Sequence, residues 1–158
     1  MPVLSSLLPR LAAWRERLSP LTDLLDLGIR LYVARVFWLS GLTKIRDWDT
    51  TVFLFQEEYH VPVVPPELAA FAGTAGELAF PVLLAIGLGS RFAALGLFFV
   101  NLMAVVSYWH VLMDSEPALM QHVFWGTLLL VTLLHGSGRL SVDGWLQRRF
   151  QPHVSWVA

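Results

Sequence analysis

The sequence predicts an all-α integral membrane protein: a four-helix up-down-up-down bundle preceded by a short interfacial helix. Three observations carry that expectation. Apolar residues make up 56% of the 158 residues and charged residues only 15%, against roughly a quarter charged in a soluble domain. Four long apolar stretches, about 25–44, 67–88, 91–111 and 119–136, each approach the ~20 residues a helix needs to cross ~30 Å of hydrocarbon. Those stretches are continuous rather than alternating, so they read as helices and not as barrel strands.

Composition also excludes function classes. The net charge is −1, which gives nucleic acid no basic field to bind. With no cysteine, disulfides, thiolate metal sites and dithiol chemistry are all out. Any redox role must use a bound molecule. At the N-terminus, Pro2, Pro9, Arg10, Arg15 and Arg17 break the apolar run, so a cleaved secretory signal is not expected.

Residues 1–24 form the first unit. Within it Leu7, Leu8, Leu11, Trp14 and Leu18 recur at helical spacing with arginines elsewhere, the pattern of a helix lying in the interface plane; a packed terminal helix is the alternative. The transmembrane unit is 25–143. Span one carries Arg30 and Arg35 and span two Glu77, so both are less apolar than span three. Span four is the shortest. A basic, aromatic tail, 144–158, closes the chain. Arg10, Arg15, Arg17, Arg91, Arg139, Arg148 and Arg149 fall on one side, against Lys44 and Arg46 on the other. This bias places both termini in the cytoplasm. The long outer loop, 45–66, holds Trp48, Glu57, Glu58 and His60 and is expected to fold over the bundle as a cap.

Function must come from polar residues at membrane depth. Counting 1.5 Å per residue from the span ends puts Arg35, Glu77 and Asn101 near the midplane. An unpaired ion there is costly, so Arg35 and Glu77 are expected to meet each other or a shared ligand. An ion pair that merely fixes helix register is the competing reading. Pro81 removes the helical donor to the Glu77 carbonyl and bends the helix beside the carboxylate. A second layer, nearer the outer face, holds Lys44, Tyr108, His110, His122 and Trp125, with Gly126 leaving space beside His122. Arg30 either snorkels to the inner interface or pairs with Asp26. Arg30, Phe37 and Lys44 share one face of span one, and Arg35 is turned about 140° from it. The histidines suit hydrogen bonding better than metal or haem binding, because no third ligand lies at the right spacing. His135 and His153 are expected to do nothing specific.

Span one, through Arg30, Phe37, Gly41 and Lys44, then Glu77, Gly87 and Arg91, then GSGRLSVD at 136–143, resembles the DoxX family of small four-helix bacterial membrane proteins. The last motif departs from the family's GPGRYSLD at Ser137, Leu140 and Val142. The resemblance spans about 25–143 and implies the bacterial inner membrane. It also implies redox chemistry beside a partner protein, since relatives include the membrane subunit of a thiosulfate:quinone oxidoreductase. It places Arg30, Lys44 and Glu77 in or beside a central pocket, and Arg91 and Arg139 at the cytoplasmic face. Asp143 would cap a helix or pair with Arg139.

The resulting expectation is a membrane subunit, as part of a quinone-linked oxidoreductase, that holds a quinone or similar small apolar redox molecule. Glu77 and His122 would handle protons, and Arg30, Arg35, Lys44, Asn101, Tyr108, His110 and Trp125 would bind the ligand. No covalent cofactor, metal or nucleic acid is expected; the lipid bilayer and a protein partner are, and homo-oligomerisation is left open. The rival from another class is a non-catalytic anchor or assembly factor for a soluble enzyme. A transporter is disfavoured because no repeat or broken-helix pair is visible.

Overall fold

In the computed structural model the backbone is described for residues 2–150 and side chains from 18 onward. Among the described residues every regular element is a helix: α1 Pro2–Arg46, α2 Trp48–Glu57, α3 Pro66–Ile86, α4 Ser90–Ser107, α5 Trp109–Leu112, α6 Glu116–His135 and α7 Val142–Phe150. The helices α3, α4 and α6 are long and apolar enough to cross a membrane. α1 exceeds that length, but Arg30, Arg35 and Lys44 interrupt its apolar run. Two expectations change here. The break expected near residue 24 is absent, because α1 continues without interruption from Pro2. The third apolar run stops at Ser107, and Trp109–Leu112 form a separate turn of helix. His153 lies outside the described residues.

Packing follows the apolar faces. α1 packs on α3, α3 on α4, α4 on α6, and α6 back on α1. Their shared core is Val33, Ala34, Phe37, Leu84, Ala93, Ala94, Leu97 and Leu129. Lys44 meets Glu77 at one end of α1 while Arg30 meets Leu84 and Ala85 at the other, so α1 and α3 run antiparallel. Close approach depends on missing side chains. A Cβ on Gly41 would sit 2.9 Å from Leu78 and 3.1 Å from Glu77 Cβ, and one on Gly76 would sit 3.0 Å from Val100. Small residues therefore set the α1–α3 and α3–α4 distances.

One end of the molecule is locked by polar contacts. Arg30 is fully buried and donates to the carbonyls of Leu84 (3.2 Å), Ala85 (3.1 Å) and Leu140 (2.6 Å). It neither snorkels nor pairs with Asp26, because the last turn of α3 offers it carbonyls with accepting capacity to spare. Gly87 terminates α3 at φ 74°, and a Cβ there would strike Ser141 and the Arg30 guanidinium. Asp143 accepts from the backbone N–H of Gly89 and Ser90 and from the Ser90 hydroxyl, all at 2.9 Å. It therefore caps α4, where its charge also meets the positive end of the helix dipole. Burial pushes the Asp143 carboxyl up. The N–H groups of Ser90 and Gly89, with the Ser90 and Ser137 hydroxyls, outweigh that and hold it below the usual carboxylate range. Arg139 turns instead to Asp23, which accepts its backbone N–H at 2.9 Å.

Candidate functional site

At the other end the four long helices separate around a cavity of about 600 Å³. α1 contributes Phe37, Ser40 and Lys44; α3 contributes Ala69, Gly73 and Glu77; α4 contributes Val100, Met103 and Ser107; α6 contributes His122 and Trp125. Phe55 near the end of α2 and Tyr59 just past it, with Val61 and Val64, close it over. The 45–66 segment is thus a cap, as its composition suggested. Asp47 holds the cap's helix by accepting the Thr50 N–H. The His60 N–H donates to the Ser107 carbonyl at 2.9 Å and ties its far end to α4. Tyr59 stacks edge-on against both Phe55 and Tyr108, and burial raises its phenol above the ordinary value.

Two polar groups project into these apolar walls. Lys44 Nζ lies 2.5 Å from Glu77 Oε2 and 3.0 Å from Ser40 Oγ. The side chains are 20% and 9% exposed, respectively. Desolvating two ions is costly and is offset only by close, hydrogen-bonded contact; this pair has both. The second group is His122. Asn101 donates its amide N–H to the His122 carbonyl at 3.0 Å, which fixes the amide's orientation. Its oxygen then faces His122 Nδ1 at 2.9 Å. With the amide so assigned, Nδ1 carries the proton, and Nε2 of the neutral ring is left as an acceptor. Trp125 stacks edge-on to His122, with ring centres 5.1 Å apart.

The site differs from expectation in four places. Arg35 does not meet Glu77. Nine residues separate Arg35 from Lys44, which turns them to opposite faces of α1 at 100° per residue. The face with Arg30, Phe37 and Lys44 points inward, so Lys44 takes the carboxylate and Arg35 is exposed. Arg30 lies on the inward face but outside the cavity, at the locked end. His110, on α5, is exposed and packs against His60 of the cap, ring centres 4.7 Å apart, outside the cavity. Asn101 acts through His122 rather than lining the space, and the room left by Gly126 is taken by the Asn101 amide. Lys44, Glu77, Tyr108, His122 and Trp125 do line one cavity. The two polar layers expected at different depths meet there, because the α1–α3 register sets Lys44 level with Glu77. Ser40, Phe55 and Tyr59 were missed. Ser40 stands four residues before Lys44, a spacing that was visible; the cap aromatics gave no signal beyond composition.

A family model, DoxX, matches residues 25–110. The chain belongs to the DoxX family. The match takes in α1 from its middle, the cap, α3 and α4. The DoxX chain is also 27% identical, over 138 residues, to an uncharacterized protein of Haemophilus influenzae; that match spans 82% of this chain and 87% of the relative. No solved structure matches it. Family membership, with three helices of membrane-crossing length and apolarity, makes this a membrane protein. In this DoxX chain, the family-matched region supplies Lys44, Glu77 and the cap but not His122, which stands beyond it on α6.

Proposed function

We propose that this DoxX protein is a redox-associated subunit of the bacterial inner membrane that binds a quinone, or a similar small apolar redox molecule, in the capped cavity. In this reading α1, α3, α4 and α6 each cross the bilayer, in up-down-up-down order. The Arg30–Asp143 end and both termini face the cytoplasm, where Arg91, Arg139, Arg148 and Arg149 cluster. The observation that carries the reading is the pairing of Lys44 with Glu77 in the wall of a largely apolar space. Buried ions of that kind at membrane depth are functional far more often than in soluble cores.

The chain's own residues fit such a ligand. Lys44 has three N–H donors and uses two of them, on Ser40 and Glu77, leaving one for a ligand carbonyl. Neutral His122 offers an acceptor at Nε2 and becomes a donor on protonation, with Asn101 keeping the ring oriented in both states. Phe37, Phe55, Tyr59 and Trp125 supply flat aromatic walls. A bound quinone would bring two-electron, two-proton chemistry. Glu77 and His122 are the groups able to exchange protons with it, and electrons would come from a partner protein.

The test is a quinone-dependent thermal shift of the purified protein, combined with extraction of co-purified lipid. A short-chain quinone should raise the melting temperature of the wild type and of Arg35→Gln, but not of His122→Phe. No quinone in the extract and no shift in the wild type would refute the proposal. A second reading, a membrane anchor for a soluble enzyme, draws on α7, whose Trp145 and Phe150 are 57% and 70% exposed. Unchanged partner recovery after deletion of residues 142–158 would exclude docking there.

A further inference from the structure

The exposed Arg35 has no role in the cavity, and its surroundings assign it one. We infer that the α1–α3 groove around Arg35 is a binding site for an anionic phospholipid. The inference rests on the membrane-spanning reading above, though not on any quinone. The groove encloses about 280 Å³ and is lined, besides Arg35, by Leu31, Trp38, Pro81 and Val82 among other apolar residues. Pro81 is itself buried in α3. The proline also leaves the helix there one backbone N–H short, so its ring and not a hydrogen-bonded turn faces the groove.

The guanidinium stands on the outer wall of the molecule with Leu31 and Trp38 exposed one turn to either side. Among the described residues the ion pairs are Lys44 with Glu77 and Arg139 with Asp23, and neither involves Arg35. A cation on a lipid-facing wall needs a counter-charge or water.

Depth decides which it finds. Arg30 contacts the Leu84 and Ala85 carbonyls in the last turn of α3, so that end marks the inner edge of the helices. Arg35 is five residues further along α1, about 7.5 Å deeper. Helical side chains lean toward the N-terminus, here the inner side. An arginine that leans that way carries its charge toward the phosphate layer while its stem stays in hydrocarbon. The groove beyond it holds acyl chain. The ligand is therefore a lipid whose phosphate accepts from Arg35 and whose first methylenes lie against Trp38, Pro81 and Val82. A net-negative headgroup is favoured over a zwitterionic one by the field of the arginine.

The experiment is native mass spectrometry of the full-length protein in detergent with an equimolar mixture of phosphatidylglycerol and phosphatidylcholine of matched chains. The wild type should retain phosphatidylglycerol in preference by about fivefold, the factor one arginine contributes near an anionic surface. Arg35→Gln and Arg35→Met should abolish the preference, Arg35→Lys should keep most of it, and Arg149→Gln, a cation of the same end, should leave it intact. Circular dichroism confirms that the exposed-site variants keep their helix content. Equal retention of both lipids by the wild type overturns the inference, as does an undiminished preference in both charge-removing variants. So does displacement of phosphatidylglycerol by inorganic phosphate alone, or a lipid-free dimer that Arg35→Gln dissociates, which would give the groove to a second copy. A failed quinone shift with an intact lipid preference leaves this site standing.

Discussion

Replacing Lys44 by methionine removes the cation that Glu77 contacts and keeps most of the side chain's volume. Breaking a buried ion pair by deleting one partner costs about 3–5 kcal/mol, because the remaining charge is left desolvated. Lys44 and Glu77 are 20% and 9% exposed in their side chains, so some water reaches the pair and the lower end, about 3 kcal/mol, is expected. Glu77→Leu should cost a similar amount by stranding the ammonium. The double variant Lys44→Met/Glu77→Leu leaves no stranded charge, and replacing a whole pair with apolar groups is often nearly neutral. It should therefore be more stable than either single variant. Reversible unfolding in mixed detergent, followed by the fluorescence of the seven tryptophans, measures all three. Arg35→Met serves as the comparison and should change stability by no more than about 0.5 kcal/mol, as an exposed site does. If the two single costs add in the double variant, Lys44 and Glu77 do not act as a pair. If Arg35→Met is the damaging change, the register of α1 against α3 described above is wrong.

Two further outcomes follow from the packing. Asp143→Ala removes the cap of α4 and should cost about 1–2 kcal/mol at neutral pH. Because the folded carboxyl is held below its unfolded value, its contribution is present above about pH 4 and fades as the pH falls through the folded value, so the variant and wild type should converge in acid unfolding curves. Gly41→Val would drive a side chain into Leu78 and Glu77 Cβ; overpacking of this kind costs about 1–3 kcal/mol, and loss of the quinone-dependent thermal shift should accompany it.

Much of the fold was legible in the sequence because a bilayer restricts the choices so strongly. Apolar runs of span length, broken at Gly87–Gly89 and at the Met113–Ser115 link, had to be helices with satisfied backbones. Spacing alone put Arg30, Phe37 and Lys44 on one face of α1 and Arg35 on another, but did not say which of the two turns inward. The cap was readable from the length and mixed composition of the 45–66 loop, though not which of its aromatics would enter the cavity. What misled was depth counting. Measuring Arg35 and Glu77 from assumed span ends made them level, but the structure sets Lys44 against Glu77. Lys44 stands nine residues, about 13.5 Å, beyond Arg35 along α1, so the Arg46 end of α1 and the Pro66 start of α3 do not lie at one depth.

By itself, then, the sequence determined that this chain is helical, apolar and laid out as a succession of long helices, since these depend on local periodicity and on the solvation of the backbone. Only the tertiary structure decided which face of α1 turns inward, that Lys44 takes Glu77, that Asn101 serves His122, that Arg30 closes the end opposite the cavity, and that Arg35 is left on the wall of the bundle. Those pairings depend on how far one helix slides along another. That sliding is set by contacts such as Gly41 on Leu78, between residues far apart in the chain.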